Sequence, residues 1–178
     1  RFINFTSKGG SGTYGFSGAI VSSLNNKIYG LPYRYSSIVE VDPINYTVTN
    51  VPGTTHTQYF YSGVEGPDQK IYLTAGTTQE YAVFDPSDNS FEIRSLPYTT
   101  VFKTNEIAGG GRYVASNNSI YISPAQCYEI MKLDFNTLDA SGHPTVTAID
   151  ITSIAYSTSP VGPKYMKAHI RGDGKLIF

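Results

Sequence analysis

The stretch GAIVSSLNNKIYGLPYRYSSIVEVDPINYTVTNVPG, Gly18–Gly53, decides the fold, because it is one complete copy of a pattern that the chain repeats. Within it the dipeptide Ile28-Tyr29 follows Lys27, and Asp42 lies 14 residues after Ile28. The same two anchors return as Ile71 and Asp85, then as Ile120 and Asp134, each pair again 14 residues apart, and Leu176-Ile177 marks a looser fourth copy. Successive copies are 43, 49 and 56 residues apart, so a constant unit is joined by connections of growing length. Internal periods of this size belong to repeat architectures.

Each unit reads as four short strands. The first strands are expected at 18–22, 62–65, 112–115 and 167–170. Turn-forming residues follow them: Leu24-Asn25-Asn26, Pro67-Asp68-Gln69, Ser116-Asn117-Asn118 and Gly172-Asp173-Gly174. The second strand carries the Ile-Tyr pair. In the third, Val39/Val41, Ala82/Phe84 and Met131/Leu133 are apolar at alternate positions while the residues between them are mixed. That period of two predicts a sheet covered more fully on one face. Asp42-Pro43 and Asp85-Pro86 open the turn into the fourth strand, and all three repeat aspartates are expected to cap the same turn in different units.

Small four-stranded sheets bury their faces only against the next unit, which is the requirement of propeller blades. On its KIY strand, its VEVDP strand with the Asp-Pro turn, and its closing V..VP, Gly18–Gly53 resembles a blade of the kelch-like and YVTN-like propeller families. The resemblance implies an all-β fold, a β-propeller of four-stranded antiparallel blades at about 17–60, 61–107, 108–160 and, incomplete, 161–178. Either the strand-like Arg1–Thr6 closes the last blade of a four-bladed ring, or about three and a half blades of a larger propeller are present. Exposed blade edges favour the second scheme. Arg1–Gly10 has no initiating Met and no signal-like apolar run, which fits a chain that starts after a processed leader or is cut from a longer polypeptide.

Composition narrows the function classes. With 13 basic and 14 acidic residues among 178, the net charge is -1, and no Lys/Arg cluster suits nucleic acid or an anionic membrane surface. No apolar run approaches the roughly 18 residues of a membrane span. The single cysteine, Cys127, has no internal disulfide partner. There is no Gly-x-Ser-x-Gly elbow, and His56, His143 and His169 lie in separate units at no metal-ligand spacing, so they read as surface or loop histidines. Gly109-Gly110-Gly111 reads as a flexible lead-in to the third blade rather than a phosphate loop, and Arg171-Gly172-Asp173 as a turn more than an adhesion signal.

No catalytic residue, metal or cofactor is therefore expected, and the chain reads as a non-catalytic extracellular or cell-surface propeller serving as a structural or protein-interaction module. The alternative is a lectin-like, carbohydrate-binding propeller. The expected partner is another protein or a second copy of the chain, with a glycan as the other option. Candidate binding residues are Tyr33, Arg34, Tyr35, Gln79 and Gln126 on loops between second and third strands, with His56 and Lys103 on loops between blades. An Arg between two tyrosines joins a forked donor to aromatic faces, which suits protein and sugar surfaces alike. Sequons at Asn4, Asn45 and Asn117 are candidate glycosylation sites, the last two in predicted hairpin turns.

Overall fold

A computed structural model describes residues 15–99, 108–125, 127–153, 169–171 and 175–177. Three four-stranded antiparallel sheets make up almost all of it. The first holds β1 (Phe16–Val21), β2 (Ile28–Pro32), β3 (Val39–Asp42) and β4 (Thr47–Asn50). The second holds β5 (Phe60–Glu65), β6 (Ile71–Ala75), β7 (Glu80–Phe84) and β8 (Phe91–Ser95), and the third β9 (Ala108–Val114), β10 (Ser119–Pro124), β11 (Glu129–Leu138) and β12 (Pro144–Asp150). A short antiparallel pair, β13 (His169–Ile170) and β14 (Leu176–Ile177), follows. Strand order is sequential in each sheet, and the first strands lie side by side, β1 against β5 and β5 against β9. The sheets therefore stack as the radial blades of a β-propeller, first strands innermost and fourth strands at the rim.

The repeated Ile-Tyr pair explains the stacking. In β6, Ile71 packs with Tyr29, Leu31 and Ile38 of the first blade, while the adjacent Tyr72 packs with Ile120, Ile122, Met131 and Leu133 of the third. Neighbouring strand residues point to opposite faces, so Ile meets the preceding blade and Tyr the following one. Tyr29 sits edge-on to Phe84 at 5.0 Å, and Tyr72 edge-on to Phe135 at 5.4 Å. Full burial of side chains this large stabilises by about 1.5–3 kcal/mol each. The second blade is consequently covered on both faces, with Tyr81, Ala82, Val83 and Phe84 all buried, which corrects the expectation of one better-covered face for that blade alone; Val39/Val41 and Met131/Leu133 are buried and the residues between them half-buried, as expected.

Hairpin chemistry places the same dipeptide. The residue four before each tyrosine bonds its hydroxyl: Asn25 donates to Tyr29 at 2.9 Å, Tyr72 donates to Asp68 at 2.8 Å, and Asn117 donates to Tyr121 at 2.7 Å. The next residue is left-handed in every case, with φ of 60° at Asn26, 62° at Gln69 and 51° at Asn118. Such backbone is uncommon for residues with a side chain and turns the strand back tightly.

Two local readings change. Gly109-Gly110-Gly111 is not a flexible lead-in but part of β9. Thr74 donates to Gly109 O at 2.9 Å and Ser123 to Gly110 O at 3.0 Å, and a Cβ at Gly111 would stand 3.1 Å from Val64 Cγ1. The glycines thus let β9 approach the preceding blade closely. Asp42 and Asp85 do cap their turns, accepting from the Ile44 and Ser87 amides at 2.8 and 2.9 Å. Asp134 makes the same bond, accepting from the Asn136 amide at 3.0 Å, but the chain does not turn back there: β11 runs on to Leu138 through an irregularity in register, and Asp139 caps the turn by accepting from Ser141 and His143 amides.

Candidate functional site

On the side of the blades where second strands lead into third strands, Tyr33, Arg34 and Tyr35 follow β2. The Tyr33 and Arg34 amides donate to Gly15 O at 3.0 and 3.4 Å, which pins this loop onto the start of β1. The Tyr33 ring lies 5.1 Å from Tyr61 and 5.5 Å from Tyr59, both at shallow tilt, and Phe16 stands 5.4 Å from Tyr35. Arg34 holds its guanidinium carbon 5.7 Å above the Tyr33 ring centre, and Tyr35 donates to Asn50 Oδ1 at 3.1 Å. Together Phe16, Ser17, Tyr33, Arg34 and Tyr61 line an open cavity of about 330 Å³ between the first two blades, where their first strands begin.

Two backbone features shape the cavity. Pairing of β1 with β2 is irregular between Phe16 and Gly18, and that of β5 with β6 between Phe60 and Ser62, so Ser17 and Tyr61 are equivalent bulge residues. Bulges re-aim side chains and recur beside functional sites. Gly76 makes room for the Tyr61 ring, because a Cβ there would fall 1.5 Å from Tyr61 Cε2.

Arg34 is exposed and makes no ion pair among the described residues. A larger cavity of about 600 Å³ lies between the outer strands of the second and third blades. Its cation is already satisfied, since Arg94 bonds Glu92 at 2.7 Å and also Asp139, and His143 Nε2 lies 3.0 Å from Glu92. That groove is a clasp between blades, whereas Arg34 has no carboxylate partner among the described residues.

Of the residues expected to bind, Tyr33, Arg34 and Tyr35 come together. Gln79 is exposed on the corresponding loop of the second blade, and Lys103 and Gln126 lie outside the described residues. His56 is only 7% exposed, so it is no surface histidine. It packs between Phe60 at 4.9 Å and Phe91 at 5.6 Å. Among the described residues neither ring nitrogen makes a well-formed hydrogen bond, and burial holds its pKa below the ordinary histidine range, outweighing the upward pull of the Gln58 backbone. Phe16 and Ser17 went unnoticed in the sequence, although Phe16-Ser17 occupies the same bulge as Phe60-Tyr61.

Among the glycosylation candidates, Asn4 lies outside the described residues. Asn45 and Asn117 are exposed, in the β3–β4 and β9–β10 turns, on the side opposite the cavity. Their amides donate to Asp42 Oδ2 and Tyr121 Oη at 2.8 and 2.7 Å. Cys127 is buried, and that burial pushes its thiol up to about 12. No group of three or more metal-ligating side chains occurs among the described residues.

No family model matches the chain, and no curated protein does. Similarity to solved structures is clear at the level of the fold. Virginiamycin B lyase from Staphylococcus aureus superposes with a TM-score of 0.65 at 16% identity, over 89% of this chain and 46% of that one. A streptogramin B lyase gives 0.59 at 12% identity, over 90% and 52%. The extracellular domain of BT4673 from B. thetaiotaomicron, assigned to the hybrid two component systems, gives 0.63 at 15% identity, over 94% and 19%. The chain thus spans about half the length of the lyases it matches. The resemblance to kelch-like and YVTN-like repeats stands only as a shared propeller architecture. The expectation of a non-enzyme is also corrected: the same fold carries lyases, so missing hydrolase signatures do not place this chain among propellers without catalysis.

Proposed function

We propose that the chain is a recognition module of an extracellular or surface β-propeller, engaging its partner through the loop face that carries Tyr33, Arg34 and Tyr35. The observation that carries this reading is the cavity at that face, where aromatic side chains line the walls beside an exposed guanidinium, set over the Tyr33 ring, with no carboxylate partner among the described residues. Aromatic rings and arginine are the side chains that dominate recognition surfaces. Likeness in fold to an extracellular domain supports the placement outside the cell. Among the described residues no helix is long and apolar enough to cross a membrane. Glycans at Asn45 and Asn117 would leave the recognition face clear.

The test is a comparison of wild type, Tyr33→Ala and, on the opposite side, Ile44→Ala on the same peptide and glycan arrays. The expected outcome is a set of signals shared by wild type and Ile44→Ala and lost in Tyr33→Ala. Three identical profiles, or signals lost only in Ile44→Ala, would remove the loop face from the function.

A further inference from the structure

Resting on the recognition reading above, we infer that the cavity between Phe16, Tyr33, Arg34 and Tyr61 takes one uronic-acid residue of an acidic glycan. Size comes first. At about 330 Å³ the open cavity has room for a single ring-sized group, at the small end of small-molecule pockets, which run from about 300 to 1,000 Å³. Its walls are aromatic, and a pyranose has one face of C–H groups to lay on such a ring while its hydroxyls stay in water.

Aromatic walls alone would equally suit a quaternary ammonium group. Arg34 decides between the two, because a second cation beside its guanidinium is repelled and a carboxylate is attracted. The guanidinium offers paired donors in the geometry of a carboxylate, and such charge-assisted bonds are about twice as strong as neutral ones. Ser17 already donates to Phe60 O at 2.7 Å. Its oxygen therefore remains an acceptor for a sugar hydroxyl. The paired bulges that bring Ser17 and Tyr61 to the cavity are the same in both blades, so the walls belong to the repeat geometry and not to one loop.

Calorimetric titration of the chain with D-glucuronate, D-glucose and benzoate separates the contributions. Glucuronate is expected to bind about tenfold or more tightly than glucose, the worth of one hydrogen bond to a charged group. Arg34→Gln, an exposed and conservative change, is expected to bring the two sugars to equal affinity. Gly76→Ala, which displaces the Tyr61 ring, is expected to weaken both. Equal binding of the two sugars by wild type, tighter binding of benzoate, or an Arg34→Gln variant that keeps the preference would each overturn the inference. So would no binding of any of the three by a chain whose circular dichroism shows it folded. If that happens while array signals still depend on Tyr33, this inference fails and the recognition reading stands. Array profiles indifferent to Tyr33 sink the recognition reading itself.

Discussion

His56 shows what one residue contributes once its neighbours are known. Packed against Phe60 and Phe91 with neither nitrogen well bonded among the described residues, it has its pKa lowered by burial. Its folded pKa lies below the unfolded value of about 6.5, so near and below that pH the unfolded chain binds the extra proton. The stability contribution is complete above the unfolded pKa and is lost as the solution is acidified through it. His56→Phe keeps an aromatic ring in place and removes the titration. Urea midpoints measured between about pH 7 and pH 5.5 are expected to fall less for His56→Phe than for wild type. Parallel profiles would show that His56 does not report its burial in this way.

At the scale of the element, the hairpin joining first and second strands is the most regular feature of the chain. Asn26, Gln69 and Asn118 share the left-handed position, and Gln69 is the one least suited to it. Asparagine tolerates that backbone through its short side chain; glutamine carries the full steric cost, roughly 1–2 kcal/mol, against a glycine entropy cost of about 0.5–1 kcal/mol. Gln69→Gly is therefore expected to stabilise the chain by about 0.5–1 kcal/mol in urea unfolding. A loss of stability would mean that the Gln69 side chain makes up its steric cost elsewhere.

In the whole molecule, the two buried apolar clusters lie between blades. Tyr29 and Leu31 on one side and Phe84, Leu73 and Ile71 on the other form a single buried cluster, and a second cluster joins the next pair. Phe84→Ala empties the first of these and is expected to cost about 3–5 kcal/mol. Because each blade touches only its neighbours, the loss belongs to one junction. Amide exchange of β2 and β6 is expected to speed up more than that of β10. A uniform rise along the chain would instead indicate that the three blades open as one unit.

The amino-acid sequence by itself determined what is local. Alternation along Val39–Val41 and Ala82–Phe84, with Asn, Asp and Gly between strands, specifies short strands and tight hairpins because side-chain period and turn backbone depend on adjacent residues. The 14-residue spacing of the anchors made the repeat visible, and the repeat made the propeller legible. Tertiary structure alone decided what depends on a neighbouring blade. Asp134 reads like Asp42 and Asp85 yet falls inside a longer strand, and Gly109–Gly111 reads as a loop yet packs as a strand against Val64. Tyr33-Arg34-Tyr35 stood out as a patch, but a patch becomes a cavity only when Phe16, Ser17 and Tyr61 arrive from strands far away in sequence. Phe16-Ser17 and Phe60-Tyr61 hold equivalent places in the repeat, but only the register of the folded strands shows the bulges, and only the packing of one sheet on another turns them toward one cavity.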